Sequence, residues 1–514
     1  MKRIAFFVLG LVIVTVCCPT SVQSAKPPYP IMYGVNIGTD VSTENFLNDL
    51  TSINPMYIFN NPYYEKSQLS AQRIKDIHAR LPQTKVILHL VCCNLFDQKK
   101  FTSGNYAQVT FSNQNSQSEF DNAWENHQDA FMKNLNGGYI YSVIEKIPGM
   151  WLDPGIAYLM DPDSTYFQNV LYKKFKEWVT AGGYDGIYLD LMVPGFFVTH
   201  YNSRPAVDNH LLTIDEGRDK LIHLNQALQN KRNNDPDPKV RKALIFTNSV
   251  GGTATQYYDL NYLVDYNRNL QTQGVQIENP FQNFTQMTKD EWLTTVNLIK
   301  EITKLQNSSM KGWLNYHITE GMANQKQCDR QSLYVFSSYL LANQSPDFAF
   351  LFLCKFSGNR IYPSNTLARI RLGNPSAQYQ ELSSGLFVRE YEKGFALVNP
   401  TKEQKGWQSE LILKNAYSTT TYPKNTNIVL PAHTGLVLLK ETSIAASPTP
   451  PTGNPADLTD EGDTPGNQVN EFDYNALVEN FGKTGTPGWI KADIIKNGKV
   501  DEFDYNALVE DFGR

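Results

Sequence analysis

The sequence is poor in cysteine, which excludes two kinds of small domain. Only six cysteines occur in 514 residues, and two of them lie in an apolar stretch near the N-terminus. The other four, Cys92, Cys93, Cys328 and Cys354, are too sparse for a disulfide scaffold, and their spacing matches no zinc site. Cys92 and Cys93 are adjacent, so in an extended strand they would point to opposite faces and at most one could join a given bridge. Free buried thiols fit this pattern as well as a disulfide does.

Basic charge and phosphate-binding glycines are also scarce. The chain has 46 Lys and Arg against 51 Asp and Glu, a net charge of −5, and no basic cluster, which argues against a nucleic-acid partner. Tyr33–Gly38 lies in the first predicted strand but lacks the third glycine and the helix of a dinucleotide-binding loop. No Ser–His–Asp order and no His/Cys cluster with metal spacing stands out. We therefore expect any catalysis to need no cofactor.

Long hydrophobic runs are limited to one. Lys2 and Arg3 precede an apolar run over Ile4–Val16, and the small residues around Ser24 and Ala25 follow it. This order of charged, apolar and small residues predicts a secretory signal peptide over 1–25, cleaved after Ser24 or Ala25. The run is too short to span a bilayer, so we expect a secreted, extracellular protein without a membrane span.

Alternating strand and helix patterns occupy most of the chain. Eight short apolar segments read as buried strands, namely Ile31–Ile37, Met56–Phe59, Lys85–Val91, Gly186–Leu189, Ala243–Thr247, Gly274–Ile277, Gly312–His317 and Phe348–Phe352. Helical patterns lie between most of them, which predicts an α/β fold with a parallel sheet, and eight strands close a (β/α)8 barrel of the TIM type over 26–365. A doubly wound open sheet is the alternative. The long polar stretch Asn94–Met150 is predicted to form a lid or a wall of the pocket.

The period changes after Arg371. Short strands at close spacing, without helical patterns between them, predict a small antiparallel β-sandwich over 366–442. The composition then shifts to Pro, Thr, Gly and acidic residues over Ser443–Gly466, which indicates an extended linker at 443–456.

The last part of the chain repeats itself. Val469–Gly482 and Val500–Gly513 are nearly identical and lie 31 residues apart, which indicates two copies of one small supersecondary unit. In the second copy, oxygen-bearing residues recur at the spacing of a calcium loop, with Gly498 at the sharp turn. The predicted ligands are Asp493, Asn497, Asp501 and Asp504, with Lys499 ligating through its backbone carbonyl.

This tail, over about 457–514, resembles the dockerin module, which binds cohesin domains in carbohydrate-degrading assemblies. The resemblance implies bound calcium and a cohesin-like partner. The first copy carries Gly462 and Gly466 where the second has Asp493 and Asn497, so its calcium loop is nearly empty of ligands. A duplicated helix-turn module that binds no metal is the alternative.

Two carboxylates are placed at the ends of predicted barrel strands. Asp190 ends the strand Gly186–Leu189, and Glu278 ends Gly274–Ile277 just before Asn279 and Pro280. Residues at the carboxyl ends of barrel strands line the active site. Two carboxylates there suit the cleavage of a glycosidic bond, in which one attacks or stabilises the anomeric carbon and the other protonates the leaving oxygen. Asp185 precedes its strand and is predicted to be structural.

Further candidates are less specific. Asp161 precedes Pro162 and a helical pattern, so it either caps the helix or contacts substrate. Glu320 follows the seventh strand and competes with Glu278 as the second carboxylate. Asn248 ends the fifth strand, where it could bond a sugar hydroxyl, and His89 near the end of the third is either a core residue or a ligand contact.

Aromatic residues are abundant enough to serve both core and sugar binding. Trp313 and Tyr316 lie on the seventh strand, and either could stack on a sugar ring or simply belong to the core.

Several motifs in order resemble hypothetical glycosyl hydrolase family fifteen. They are Pro148–Leu152, Tyr158–Pro162, Gly183–Asp190 and Gly274–Glu278, followed by Leu372–Pro375, Leu386–Tyr391 and Val398–Pro400. The resemblance spans about residues 30–440. It implies a TIM-like barrel with a C-terminal β-domain and a glycosidase activity on a polysaccharide or oligosaccharide.

The positions of the two carboxylates suggest their roles by analogy. An Asp after strand four with an acid after strand six is similar to the α-galactosidase and α-glucosidase clan, whose members retain configuration. Asp190 would then be the nucleophile and Glu278 the acid/base. With Glu320 in place of Glu278, the arrangement resembles the β-glycosidase clan, with Asp190 as the acid. The rival hypotheses are a non-catalytic carbohydrate-binding barrel and a scaffold or surface protein that binds through its tail.

Overall fold

A computed structural model of the chain describes most of the region before residue 442 and short pieces after it. The described residues are 32–35, 41–60, 69–97, 115–144, 155–199, 201–251, 259–281, 285–317, 325–356, 359–361, 370–418, 420–441, 477–478, 480–485, 492–494, 498–501, 504–505 and 507–508. They belong to two compact units, Met1–Glu441 and Thr442–Arg514. The predicted signal peptide, the linker at 443–456 and the border at 365/366 lie outside the described residues.

The first unit contains helices and strands in alternation, followed by strands alone. The strands are β1 Met32–Val35, β2 Tyr57–Asn60, β3 Lys85–Val91, β4 Asn94–Asp97, β5 Tyr141–Ile144, β6 Gly155–Leu159, β7 Gly186–Asp190, β8 Ala206–Val207, β9 His210–Leu211, β10 Leu244–Val250, β11 Gly274–Glu278, β12 Lys311–His317, β13 Phe348–Phe356, β14 Asn359–Ile361, β15 Gln380–Glu381, β16 Phe387–Tyr391, β17 Gly394–Asn399, β18 Lys405–Gln408, β19 Leu413–Asn415, β20 Thr421–Tyr422, β21 Asn427–Leu430 and β22 Thr434–Lys440. The helices are α1 Glu44–Ile53, α2 Ala71–Arg80, α3 Gln117–Asn126, α4 Thr165–Thr180, α5 Pro194–Thr199, α6 Ile214–Asn233, α7 Pro238–Lys242, α8 Leu260–Leu270, α9 Lys289–Ser308 and α10 Gln325–Ala342.

Eight parallel strands form a nearly closed barrel. The sheet order is β1-β2-β3-β7-β10-β11-β12-β13, with β14 added antiparallel to β13. Each of the eight strands pairs in parallel with the next, and β1 and β13 at the two edges contact each other. Every one of the eight predicted strands is among them, so the prediction of an α/β fold with a parallel barrel is confirmed.

Side-chain caps explain where several of the surrounding helices begin. Thr43 precedes α1 and Ser70 precedes α2, and each accepts a hydrogen bond from an amide in the first turn. Thr213 and Glu216 form a reciprocal capping box at the start of α6. The helical path of α9 breaks at Leu305, before the turn that leads into β12.

Aromatic side chains fill the barrel. Alternate residues of six strands form one buried cluster, which contains Tyr57, Phe59, Ile87, Tyr188, Phe246, Trp313, Ala349 and Leu351. Because successive residues of a strand point to opposite faces, the next inward positions towards the carboxyl ends lie directly above this cluster. Gly274 is required here, since a Cβ atom at that position would lie 1.9 Å from the Phe246 ring.

An antiparallel insertion follows β3 directly. Strands β4, β6 and β5 form a three-stranded sheet, and α3 packs beside β4. Only Cys92 and Cys93 separate β3 from β4, and the Met160 amide donates to the Cys93 carbonyl at 2.8 Å. The insertion therefore starts at the carboxyl end of a barrel strand. Residues 98–114 and 145–150 of the predicted lid or wall lie outside the described residues, so its role stays a prediction.

Antiparallel strands make up the rest of the first unit. One sheet has the order β15-β16-β17-β22-β19-β20 and a second contains β18 and β21, with one apolar cluster shared between the two sheets. The antiparallel strands occur where the sequence predicts them, while their description as a sandwich stays a prediction. Buried Arg389 on β16 donates to the carbonyls of Leu340, Leu341 and Asn343 at the end of α10, which fixes the sheet to the barrel. None of the described helices is long and apolar enough to cross a membrane.

Candidate active site

Asp190 ends β7 above the aromatic cluster and accepts four hydrogen bonds. Oδ1 accepts from the Leu191 amide at 2.8 Å, from Asn248 Nδ2 at 2.8 Å and from the Tyr188 hydroxyl at 3.3 Å. Oδ2 lies 3.1 Å from His89 Nε2. A quarter of its side-chain surface (25%) remains exposed. The carboxylate is therefore held in one orientation but remains accessible.

Glu278 lies beside Asp190, although the two residues are 88 positions apart in sequence. The same Asn248 Nδ2 that donates to Asp190 donates to Glu278 Oε2, also at 2.8 Å. The two carboxylate oxygens are thus separated by no more than twice that distance. Retaining glycosidases hold their carboxyl groups about 5–5.5 Å apart, whereas inverting ones need about 6.5–9.5 Å to admit a water molecule. This upper bound on one pair of oxygens is compatible with the retaining spacing.

The sheet register explains why Asn248 lies between the carboxylates. Strand β10 lies between β7 and β11, and Asn248 follows Phe246 by two positions, so both point into the barrel. The pairing of β10 with β11 is irregular between Asn248 and Val250. Such bulges re-aim side chains near active sites. Here the irregularity begins directly after Asn248, whose side-chain amide donates to carboxylates on both neighbouring strands.

The backbone turns sharply after both carboxylates. Leu191 has φ 61° and Asn279 has φ 48°, both in the left-handed region. For a residue like leucine this conformation costs roughly 1 kcal/mol, and it persists only where the surroundings enforce it. The Leu191 amide donates to the Asp190 carboxylate, so the strained residue also supplies one of its hydrogen bonds.

The two carboxyl groups are shifted in opposite directions. Burial raises the pKa of Asp190, but the hydrogen bond and charge of His89, with Asn248 and the Leu191 amide, outweigh it and lower the pKa to about 2. Burial and the charge of Asp190 raise the pKa of Glu278 to about 7, partly offset by Asn248. Near neutral pH, Asp190 is therefore ionised, while about half of Glu278 carries a proton.

His89 is 3% exposed, and its register partner on β7 is Tyr188. Its ring contacts Phe59 and Tyr188 at centroid distances of 5.6 and 5.4 Å. Because an ionised carboxylate can only accept a hydrogen bond, we assign a proton to His89 Nε2. In this structure His89 therefore bonds to Asp190, and Asn248 bonds to both carboxylates. Their predicted contacts with a sugar stay predictions.

Trp313 does not fit its predicted role as a sugar platform. It is fully buried in the aromatic cluster, and its Nε1 donates to Gln276 Oε1 at 2.7 Å. It therefore lies in the layer below the carboxylates, with no face open to a ligand. The Tyr316 side chain and all of Glu320 lie outside the described residues.

Asp161 lies after β6, and the structure corrects one interpretation of it. Ser164 is the N-cap of α4, while Asp161 accepts from the Asp163 amide at 3.0 Å and from Lys220 Nζ at 2.8 Å. Asp161 therefore stabilises its own turn and its link to α6. Its predicted contact with substrate stays a prediction.

The adjacent cysteines do not point to opposite faces. Strand β3 ends at Val91, and Cys93 has φ 64°, so the chain turns instead of extending. Both thiols are free and buried. Burial, together with the hydrogen bond between the two thiols, raises the pKa of Cys93.

Sequence reasoning missed three polar residues beneath or beside the carboxylates. Tyr188 donates to Asp190, Gln276 accepts from Trp313, and Asn315 is the register partner of Glu278 on β12. Each lies two positions from another inward residue on its strand. The period-two pattern could have identified them, but their polarity was hidden among apolar neighbours.

The described part of the tail supplies some features of a calcium loop. Asp493, Asp501 and Asp504 are buried, and Gly498 has φ 88° at the predicted turn. Asp493 Oδ2 accepts the Gly498 amide at 3.0 Å. Lys499 Nζ lies 3.7 Å from Asp501 Oδ2. Asn497 lies outside the described residues, and within them no three His, Cys, Asp or Glu side chains form a metal cluster. The fit to calcium is therefore partial.

Comparison with known proteins identifies a family for most of the first unit. The sequence model of a family described as hypothetical glycosyl hydrolase family 15 matches residues 78–395, more than half of the chain and including both carboxylates. No curated protein matches the sequence.

Solved structures show distant likenesses. Amy13B of Eubacterium rectale is 12% identical, with a TM-score of 0.47 over 81% of this chain and 96% of that one. A maltogenic α-amylase AmyB of Thermotoga neapolitana is also 12% identical, with a TM-score of 0.43 over 80% and 99%. A cycloalternan-forming enzyme of Listeria monocytogenes is 10% identical, with a TM-score of 0.43 over 81% and 41%. At this level the likeness carries no conclusion about substrate.

Proposed function

The chain belongs to hypothetical glycosyl hydrolase family 15 and is a glycosidase, and on this premise we propose that it cleaves O-glycosidic bonds with retention of configuration. Asp190 is the proposed nucleophile and Glu278 the proposed acid/base. One observation carries the assignment: a single Asn248 amide group holds both carboxylates, whose pKa values are displaced in opposite directions.

In the first proposed step, ionised Asp190 attacks the anomeric carbon. The glycosidic bond breaks, and protonated Glu278 gives its proton to the leaving oxygen. The products are a glycosyl ester on Asp190, a free alcohol on the departing sugar and an ionised Glu278. The step requires the protonation states that the site favours near neutral pH.

In the second proposed step, Glu278 acts as a base. It takes a proton from water, the water oxygen bonds to the anomeric carbon, and Asp190 leaves as a carboxylate. While Asp190 is esterified, its negative charge is absent. Because that charge is one of the two causes of the raised pKa of Glu278, the pKa falls in the intermediate and rises again on release.

Asn248 also stays a proposed substrate contact, on condition that the side chains over its Oδ1 move when a sugar binds. Its Nδ2 is committed to the two carboxylates, while its Oδ1 is buried and has no hydrogen-bond partner among the described residues. A buried acceptor without a partner is costly. A sugar hydroxyl that donates to Oδ1 would remove that cost. The expected substrate is a polysaccharide or oligosaccharide with a hydroxyl beside the reacting carbon.

Two substitutions and one stereochemical measurement test the mechanism. Asp190→Asn and Glu278→Gln should each lower kcat on a cleaved glycan on the order of 10³-fold or more with unchanged circular dichroism. Asp265→Asn is the control, because this exposed carboxylate lies on α8 and pairs with Arg268. Proton NMR of early products should show the anomer of the substrate. The inverted anomer would refute retention, and wild-type turnover in either variant would refute the role of that carboxylate. Only the absence of any cleaved glycan would leave a carbohydrate-binding barrel as the alternative.

The tail is proposed as a dockerin-like, calcium-binding tether for a cohesin-like partner, on a chain exported through its N-terminal signal. The sequence repeat, the three buried aspartates and the turn at Gly498 support this. Titration of the full chain with calcium should release heat, and Asp493→Ala with Asp504→Ala should abolish it. No heat from the wild type would argue for a metal-free module. Mass spectrometry of the exported protein should find an N-terminus at Ala25 or Lys26.

A further inference from the structure

A cavity of about 650 Å³ lies at the end of the barrel opposite the carboxylates. Its lining comes from the residues that precede or begin six strands, such as Met56 before β2, Lys85 at the start of β3 and Lys311 at the start of β12. Asp190 and Glu278 lie at the other ends of their strands. The cavity is therefore separate from the proposed active site, and its volume is within the range of small-molecule sites, about 300–1,000 Å³.

The charge of this cavity is opposite to that of the chain. Five lysines line it, namely Lys75, Lys85, Lys239, Lys242 and Lys311, against two carboxylates, Asp185 and Asp347. With histidine neutral, the lining is positive by three charges, while the whole protein has a net charge of −5. Like charges gathered around one concave space focus a field that attracts anions.

Internal partners account for only part of this charge. Asp185 accepts from His78 at 2.8 Å, from the Val86 amide at 2.9 Å and from Lys85 at 3.2 Å. Among the described residues, Lys75, Lys242 and Lys311 have no carboxylate within ion-pair distance. Three ammonium groups in the lining are thus left to solvent or to a ligand.

Helix ends do not explain the pattern. A lysine near the last turn of a helix offsets the negative end of its dipole, which suits Lys242 on α7, and Lys239 donates to the Thr180 carbonyl at the end of α4. Lys75 lies in the middle of α2, however, and Lys311 begins a strand. The helix dipole therefore does not explain why Lys75 and Lys311 line the same cavity.

The lining also has an apolar part. Pro55, Met56, Ile74 and Leu244 contribute to it, and the Tyr184 hydroxyl is turned away to Asn60. A cavity with apolar walls and several lysines fits a molecule with a carbon body and more than one acidic group. A bare monovalent anion would use little of the space.

We propose that this end of the barrel binds a small organic anion with at least two acidic groups, phosphate or carboxylate, at a non-catalytic site. The ammonium groups of Lys75, Lys242 and Lys311 would bind its acidic groups, and the side chains around Met56 and Leu244 would pack against its body. Binding there leaves the carboxylates at the opposite end free for catalysis.

Calorimetric titration of the full chain tests this with three probes of different chemistry. Inorganic pyrophosphate supplies phosphate groups, digalacturonate supplies two carboxylates on a sugar body, and maltose is a neutral disaccharide of similar size. At least one of the two anions should bind more tightly than maltose by about tenfold or more, weakening with added salt. Which one binds identifies the acidic group. If neither anion binds, or if maltose binds as well at this site, the proposal is overturned.

Charge-matched variants locate the binding. Lys75→Ala with Lys242→Ala should weaken the better anion about tenfold or more, and Lys311→Met should do the same alone. Lys414→Ala with Lys424→Ala removes the same charge from β19 and from the turn before β21, and it should change affinity less than about twofold. Equal loss in both double variants would mean general electrostatics and would refute the site. Activity on a glycan should stay at the wild-type level in all of them, so this result is separable from that for Asp190 and Glu278.

Discussion

The two ends of β7 carry the same pair of residue types in different settings. Asp185 precedes the strand and lies 2.8 Å from a nitrogen of His78, and Asp190 ends it and lies 3.1 Å from a nitrogen of His89. In both cases burial opposes ionisation and hydrogen bonds outweigh it, so both pKa values are lowered. An Asp–His pair with a lowered pKa is therefore not enough to mark a catalytic residue.

The difference lies in what else each aspartate touches. Asp185 also accepts hydrogen bonds from the Val86 amide and from Lys85, whose positive charge offsets that of the carboxylate. Asp190 instead shares the Asn248 amide with a second carboxylate, and its charge raises the pKa of Glu278. On the proposed mechanism, the coupling of two acids at the carboxyl ends of the strands distinguishes the reactive Asp190 from the structural Asp185.

The largest expected difference is between Asp190→Asn and Asp185→Asn. The first should lower kcat on the order of 10³-fold or more, because it removes the proposed nucleophile. The second should keep kcat within a few fold but lower the free energy of unfolding by about 1–3 kcal/mol, because it leaves partners of a buried carboxylate unsatisfied. Paired kinetics and urea unfolding measure both. A large loss of kcat in Asp185→Asn with a stable fold would end the distinction.

Asn248→Ala should have the next largest effect. Asn248 lowers the pKa of both carboxyl groups, so its removal should raise both and move the acid and alkaline limbs of the pH–rate profile to higher pH. We expect kcat/KM at the optimum to fall roughly 10- to 100-fold, since the carboxylates also lose their shared support.

Asn225→Ala is the control for that measurement. Asn225 is equally buried but donates to the Leu270 carbonyl between α6 and α8. It should lose stability while both limbs of the profile stay in place. Limbs that stay fixed in Asn248→Ala would show that the two acids are not coupled through this amide.

His89→Leu should move one limb only. It removes a principal cause of the low pKa of Asp190, so that pKa should rise and the acid limb should shift to higher pH, with about a tenfold loss of kcat/KM below the optimum. The alkaline limb, which Glu278 governs, should stay in place because Asp190 is still ionised there. His78→Leu at the other end of β7 should leave both limbs unchanged. If His89→Leu affects only stability, the two histidines are equivalent and the comparison fails.

The framework of the site could be predicted from the sequence because it follows from periodicity. Apolar segments with turn residues at their ends located all eight barrel strands, and the rule that strand ends line the mouth selected Asp190 and Glu278. Asp185 was placed at the far end by the same rule.

The contacts between strands could not be predicted in this way. The role of Asn248 depends on the position of β10 between β7 and β11, and that of His89 on the pairing of β3 with β7. Trp313 was left open between the core and a sugar platform because an aromatic residue near a strand end can lie in the filled layer or the open one, and its depth depends on where the strand begins. The turn at Cys93 was not predicted because a left-handed conformation at a non-glycine residue has no sequence signal.

The smallest predicted effect concerns stability, and its sign differs between the two ends of the barrel. Glu278 has a pKa of about 7 in the folded protein against an ordinary value of 4.5, so the folded state binds its proton more tightly than the unfolded state does. The stability from this preference is present below about pH 4.5 and is lost as the pH rises through about 7. Glu278→Gln cannot ionise, so it should exceed the wild type in free energy of unfolding by about 1–3 kcal/mol at pH 8 and by little at pH 4.

Urea unfolding monitored by the buried Trp292 and Trp313 measures this difference. Glu301→Gln, on the exposed side of α9, should match the wild type at both pH values. Asp185→Asn should show the opposite sign to Glu278→Gln, because a lowered pKa stabilises the fold above the ordinary value of 3.8 and this contribution is lost in acid. If Glu278→Gln is more stable than the wild type at pH 8 and Asp185→Asn is less stable, the environment that keeps Glu278 protonated lowers the stability of the fold. Equal stability of Glu278→Gln and the wild type at pH 8 would instead mean that neither burial nor the charge of Asp190 disfavours ionised Glu278.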